Sequence, residues 1–117
     1  MRIYLFLLLL VSSMSFAGAT SCNGTVEKIG LHSPDKILLK LSDMNTPVFI
    51  CNTNATWTVP GTGYTTEPET CKTMISMFMH AKATDIEIGV TFDGEDVPGD
   101  CSNWASWTSA NVRYFLY

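Results

Sequence analysis

The four cysteines of this 117-residue chain are the residues whose chemistry follows most directly from the sequence. An even cysteine count in a small exported chain is typical of a disulfide framework. No two of the cysteines lie two to four residues apart, which is the spacing that structural zinc sites use. The sequence therefore predicts two disulfides and no metal centre: Cys22, Cys51, Cys71 and Cys101.

Groups suited to catalysis are few. A histidine-activated nucleophile is not expected, since His32 and His80 fall at positions predicted to be exposed and no Gly-x-Ser-x-Gly motif occurs. A glycosidase-type carboxylate pair and a calcium site are the alternatives for the acidic stretch 93–100, but its spacing does not match an EF-hand. A solvated acidic loop is expected there, formed by Asp93, Glu95, Asp96 and Asp100. We therefore predict no catalytic residue, no metal and no cofactor.

Two tryptophans in a polar stretch are the main candidates for ligand binding. Trp104 and Trp107 lie among Ser, Asn and Thr residues, and large amphipathic rings in such a segment often contact a ligand or a partner. Asn103 and Ser102 would supply hydrogen-bonding groups beside them. The alternative is that both rings close the end of a barrel. Trp57 is expected to lie in the core. The sequence thus predicts a recognition loop without naming its ligand.

Apolar residues on the outer face of a predicted helix suggest a subunit contact. Met77 and Met79, together with His80, fall off the inward stripe of that helix. Soft apolar side chains on an outer face can mark an interface, although a helix covered by a loop would look the same. A homo-oligomer is therefore one expectation.

The amino terminus has the composition of a secretory leader. Arg2 precedes an apolar run, and small residues suited to cleavage close residues 1–17. Cleavage after Ala17 is preferred to cleavage after Ala19, and a lipid anchor at Cys22 is a weaker alternative. We expect one secreted or periplasmic domain over residues 18–117, with no membrane span.

The charge of the mature chain argues against nucleic acid as a partner. Loss of Arg2 with the leader leaves six basic side chains against eleven acidic ones, a formal charge of −5. Such a balance repels a phosphate backbone. A glycan or another protein is the expected partner.

A capped helix leading into an alternating strand must position these residues. Thr66 and Glu69 have the spacing of a capping box, and the inward stripe contains Cys71, Met74, Ile75 and Phe78. Period-two alternation indicates strands at 25–31, 37–41, 86–92 and 110–117, with a bulge near Lys28. The third strand is either 48–51 or 55–59, the segment centred on Trp57. The predicted order β-β-β-α-β-β is that of a five-stranded OB-fold-like barrel, and the alternative is an open α+β sheet with the helix on one face.

The barrel order also predicts the pairing of the cysteines. If Trp57 marks the third strand, Cys51 and Cys101 each precede one of two parallel strands, and the pairs are Cys51–Cys101 and Cys22–Cys71. If 48–51 is the third strand, the pairs become Cys51–Cys71 and Cys22–Cys101. The first pairing is preferred.

These elements resemble a group of small secreted bacterial proteins with an OB-fold-like order of elements. The resemblance lies in Cys51, the Trp-containing segment 55–59, the helix 72–84, the strand 85–92, Cys101 and the aromatic strand 112–117. More distantly, the order is similar to that of the binding (B) subunits of AB5 toxins, which are glycan-recognising OB-fold pentamers. The resemblance implies a secreted, non-catalytic binding module, such as a glycan-binding subunit of an oligomer. The alternative is a structural or inhibitory periplasmic protein that binds another protein.

Overall fold

A computed structural model describes residues 18–117, and the predicted leader 1–17 lies outside the described residues. The described chain forms six strands and one helix: β1 (Gly18–Gly24), β2 (Val26–His32), β3 (Lys36–Leu41), β4 (Val48–Asn52), α1 (Pro68–Thr84), β5 (Ile88–Gly94) and β6 (Asn111–Leu116). The strands pair as two antiparallel three-stranded sheets, with the orders β1-β5-β6 and β2-β3-β4. The prediction of a mostly β domain with one helix is confirmed.

The predicted five-stranded barrel is not confirmed, because residues 18–117 contain six strands in two open sheets. The additional strand is β1, which the sequence does not signal, since it lacks the run of β-branched and aromatic residues typical of strands. It forms by pairing with β5 along its whole length, from Gly18 opposite Gly94 to Gly24 opposite Ile88. A tertiary partner, and not local propensity, therefore creates this strand.

The strands of the second sheet largely follow the predicted pattern. β2 and β3 form the expected hairpin, and their register shifts between Val26 and Lys28, which is the predicted bulge. Of the two candidates for the third predicted strand, the segment 48–51 is the one that forms a strand. It is β4, and it pairs with β3. The 55–59 alternative is wrong, since Trp57 makes only an isolated bridge with Thr66. Trp57 is nevertheless buried, as expected, and its indole Nε1 donates to the carbonyl of Ala110 at 2.8 Å.

The helix buries the predicted face. Cys71, Met74 and Phe78 are buried in α1, and Ile75 is partly buried against the core. Ala81 completes the buried stripe, while the Lys82 ammonium donates to the carbonyl of Glu27 at 3.1 Å. The stripe holds α1 against β2 and β4, and Phe78 also meets the Phe115 ring of β6 at 4.5 Å between centroids.

The predicted capping box does not form. Glu67 is the N-cap residue without a side-chain cap bond, and Pro68 occupies the first turn, where its missing N–H costs nothing. The Thr66 hydroxyl is instead buried and donates to Asn111 Oδ1 at 2.9 Å. The buried side-chain amide of Asn111, in β6, competes with the helix end for this hydroxyl. Tertiary structure therefore overrides the local capping signal.

The disulfides follow the alternative pairing, and the preferred one is wrong. Cys22 is bonded to Cys101 and Cys51 to Cys71. The reason is the one anticipated, since 48–51 is the third strand of the predicted order and Cys51 lies inside it. The bond to Cys101 also occupies the Cys22 sulfur that the lipid-anchor alternative requires.

Removal of the two bridges should have unequal effects on stability. The Cys22–Cys101 bridge closes a loop with a sequence separation of 79, whereas the Cys51–Cys71 separation is 20. In the chain-entropy model, paired Cys→Ala changes at the longer loop cost roughly 1 kcal/mol more free energy of unfolding than those at the shorter loop. Urea unfolding of the two double variants measures the difference, and a larger loss at the shorter loop would contradict this prediction.

Candidate functional site

Segment 101–110, between β5 and β6, carries both candidate tryptophans and is fixed at several points. Cys101 ties its start to β1 through Cys22. The Asn45 side chain both donates to the Trp104 carbonyl and accepts from the Trp104 amide, each at 2.8 Å. At its end, the backbone of Phe49 bonds to Thr108 and Ala110, each at 2.9 Å. The segment is therefore held in place before any ligand binds.

The two tryptophans of this segment lie in opposite environments. Trp104 is 3% exposed and packs edge-on against Phe92, with 5.1 Å between ring centroids. Within residues 18–117 its indole Nε1 has no hydrogen-bond partner. Trp107 is 65% exposed. Trp104 thus packs into the core and its ring is buried, whereas the alternative interpretation placed both rings there.

Trp107 is exposed, but its ring packs against two neighbouring rings. It stacks on Phe49 with 5.7 Å between centroids and an interplanar angle of 28°, and His32 meets it edge-on at 5.5 Å. The backbone of Trp107 has φ +64°, in the left-handed region that non-glycine residues rarely adopt. A bulky residue adopts this region in turns or where its surroundings impose it, and such residues cluster at functional sites.

A pocket of ≈ 200 Å³ lies beside the Trp107 ring. Its lining mixes apolar surface with two hydroxyls and contains Leu38, Thr46, Pro47, Ser106 and Trp107. The Lys36 ammonium lies 5.4 Å from the centroid of the adjoining Phe49 ring. We call the five lining residues, together with Phe49 and His32, which pack against the Trp107 ring, the Trp107 pocket. Its lining thus combines an aromatic ring with two hydroxyl groups.

The other two predicted ligand contacts lie elsewhere in the segment. Ser102 turns toward Asp100, whose Oδ1 accepts from both the Ser102 amide and its hydroxyl at 2.9 Å. These two bonds lower the pKa of the Asp100 carboxyl below its usual value. The backbone N–H of Asn103 donates to the Asp100 carbonyl at 3.1 Å. Ser102 and Asn103 are exposed, but neither belongs to the lining of the Trp107 pocket.

The predicted interface residues are exposed on the outer face of α1. Met77, Met79 and His80 face outward, and the Tyr117 hydroxyl donates to the Met77 carbonyl at 2.7 Å. The nearby β6 is an edge strand of its sheet, and its Tyr114 and Leu116 are also exposed. We call Met77, Met79, His80 and Tyr117 the α1–β6 surface. Tyr114 and Leu116 alternate with Phe115, which packs on α1, and they therefore lie on the opposite face of β6.

The candidates for metal or acid–base chemistry are dispersed. Glu95, Asp96 and Asp100 are exposed, whereas Asp93 is buried within β5 and not in the loop where the sequence predicted it. One cluster of ligand-type atoms combines Asp43 with Cys22 and Cys101. Its two sulfurs are bonded to each other, so they offer no thiolate to a metal.

Several residues of the Trp107 pocket carry no signal in the sequence. Phe49 and His32 reach Trp107 only because β4 bridges in parallel to Ser109, and β2 lies in the same sheet as β4. No local motif encodes such a long-range contact. The position of Trp107 in a polar stretch was the one usable signal.

Comparison with protein-family models, with curated proteins and with solved structures finds no match for this chain. No helix among residues 18–117 combines the length and apolar composition that a membrane crossing needs.

Proposed function

We propose that the chain is an exported, non-catalytic binding module whose Trp107 pocket recognises a glycan. The observation that carries the proposal is Trp107 itself, an indole two-thirds exposed yet held by Phe49 and His32 on a left-handed backbone. A large exposed aromatic ring is a typical anchor of a binding surface. A fixed exposed ring is preorganised for a flat apolar partner.

The chemistry of the pocket suits a sugar ring. The apolar face of a pyranose can lie on the indole, while the hydroxyls of Thr46 and Ser106 in the lining can bond its hydroxyls. The volume of ≈ 200 Å³ is below the range of about 300 to 1,000 Å³ typical of pockets for drug-sized ligands. The pocket therefore accommodates one terminal sugar rather than an extended chain.

Export and assembly complete the proposal. Two disulfides are compatible with a secreted or periplasmic protein. The OB-like order and the resemblance to AB5 toxin binding subunits lead us to place this module in an oligomer, with the α1–β6 surface as the contact between copies. Multiple copies would raise the avidity of a single-sugar site.

The second candidate is a structural or inhibitory protein that binds another protein. The exposed edge of β6, with Tyr114 and Leu116, favours it, because an extended segment of a partner can add a strand to an open sheet edge. In that case the open edge of β6, and not the Trp107 pocket, is the functional site.

An array of glycans probed with matched variants tests the choice. Trp107→Ala should weaken the binding of the retained glycan by roughly 30-fold or more, because a central aromatic anchor contributes at least about 2 kcal/mol. Tyr114→Ala, which removes an aromatic ring of similar exposure from β6, should leave glycan binding unchanged. Failure of the wild-type protein to bind any glycan, or an equal loss in both variants, would contradict the proposal.

A further inference from the structure

A buried carboxylate lies beside the first described residue of the chain. Asp93 is 5% exposed, and only one of its oxygens approaches a positive charge, with Oδ1 at 4.0 Å from Arg113 Nη1. In the part of the chain that the structure describes, Oδ2 is buried and has no hydrogen-bond partner. A buried carboxylate oxygen without a donor is strongly unfavourable. The Oδ2 atom of Asp93 therefore lacks a hydrogen-bond donor among residues 18–117.

Arg113 is not fully available to fill this role. Its guanidinium stacks on the Tyr64 ring at 4.7 Å and donates to the Tyr64 hydroxyl at 2.9 Å. Its side chain is also 44% exposed. The arginine is therefore shared between a phenol ring, solvent and one oxygen of Asp93.

The amino-terminal end of β1 lies in the same cleft as Asp93. A cleft of ≈ 260 Å³ is lined by Asp93, Arg113, Gly18, Ala19 and the loop 61–64. Ala19 is the antiparallel partner of Asp93, and opposed residues place their side chains on one face of a sheet. The nitrogen of Gly18 thus belongs to the residue next to Ala19, which is the residue paired with Asp93.

Position 18 is also adapted to a residue without a side chain. A β-carbon on Gly18 would lie 2.5 Å from the carbonyl oxygen of Val97, which real β-carbons do not approach. The sequence left two cleavage positions open, after Ala17 or after Ala19. Cleavage after Ala19 would remove Gly18 and Ala19 and with them two paired positions of β1.

We infer that leader removal occurs after Ala17 and that the new α-ammonium group of Gly18 binds the buried Asp93 carboxylate. A leader peptidase would hydrolyse the Ala17–Gly18 bond, so that water supplies the hydroxyl of the Ala17 carboxyl group and a hydrogen to the Gly18 nitrogen. That amine takes up a further proton at neutral pH. The resulting ammonium supplies the donor that Oδ2 lacks, and the amino terminus of β1 is fixed to β5. The inference depends on export of the chain and is independent of the Trp107 pocket.

The mass of the exported protein gives the first test. The inference expects the mature chain to begin at Gly18. A chain that begins at Thr20, or that retains residues 1–17 after export, would overturn it.

A double-mutant cycle gives the second test. A protein that begins at Gly18 and one that begins at Ala17 are each compared with and without Asp93→Asn, and their unfolding in urea is measured. The extra residue displaces the ammonium by up to about 3.5 Å. With Asp93 present, this displacement should lower the folded-to-unfolded equilibrium constant about tenfold, whereas with Asp93→Asn the change should be at most about twofold.

Equal effects of the extension in both backgrounds would overturn the contact between Gly18 and Asp93. If Asp93→Asn prevents folding, Asp93→Glu provides the second background, because it keeps the charge but moves it by one methylene. A tenfold effect of the extension that is unchanged by Asp93→Glu would equally contradict the inference.

Discussion

Trp104→Ala should lower the free energy of unfolding by about 3 to 5 kcal/mol, whereas Trp107→Ala should lower it by no more than about 1.5 kcal/mol. The first change empties a core position that packs against Phe92 and is 3% exposed. The second removes a ring that is 65% exposed and that packs against Phe49 and His32.

Thermal melts separate these two outcomes. For a domain of about 100 residues, 1 kcal/mol corresponds to roughly 4 to 8 °C in Tm, so Trp104→Ala should melt more than 10 °C below the wild type. Comparable losses in the two variants would mean that Trp107 is a structural residue, and the Trp107 pocket would have to be abandoned as a recognition site.

Phe78→Ala should also cost about 3 to 5 kcal/mol of stability. Phe78 is fully buried on the inward stripe of α1 and meets the Phe115 ring of β6, so its loss leaves a cavity where the helix meets this strand. Lys72→Ala is the matched control in the same helix. Its side chain is exposed and only pairs with Glu69 at the surface, so the change should fall within about 0.5 kcal/mol. Urea unfolding of both variants measures the two changes in the free energy of unfolding. Similar losses in the two variants would show that α1 turns a different face to the core.

Periodicity was sufficient to predict the elements that bury a regular face. The stripe of α1, the β2–β3 hairpin with its bulge, and the strands β5 and β6 all follow from local patterns. In each of them the residues that repeat at the helix or strand period are largely those that the core requires.

Local patterns failed where a distant partner decides the outcome. β1 exists because β5 pairs with it, and Thr66 is drawn from its cap position by Asn111. The cysteine pairing depended on whether 48–51 or 55–59 was the third strand of the predicted order, a choice that the pairing of β4 with β3 settles.

The candidate site shows the same limit. Trp104 and Trp107 occupy the same polar stretch and look equivalent in the sequence, yet Asn45 and Phe92 hold one of them inside while Phe49 and His32 hold the other at the surface. These four partners are far away in the chain. Only the folded arrangement tells the two tryptophans apart.

The indole N–H resonances of the three tryptophans offer the most direct measurement of the central claim. Trp57 donates its indole N–H to Ala110, and Trp104 is enclosed by the core, so neither should respond to a ligand at the surface. In a ¹⁵N-labelled protein titrated with a glycan that the array retains, the account predicts a saturable shift of the Trp107 resonance alone. A glycan that saturates the protein while the Trp107 resonance stays unchanged would contradict it.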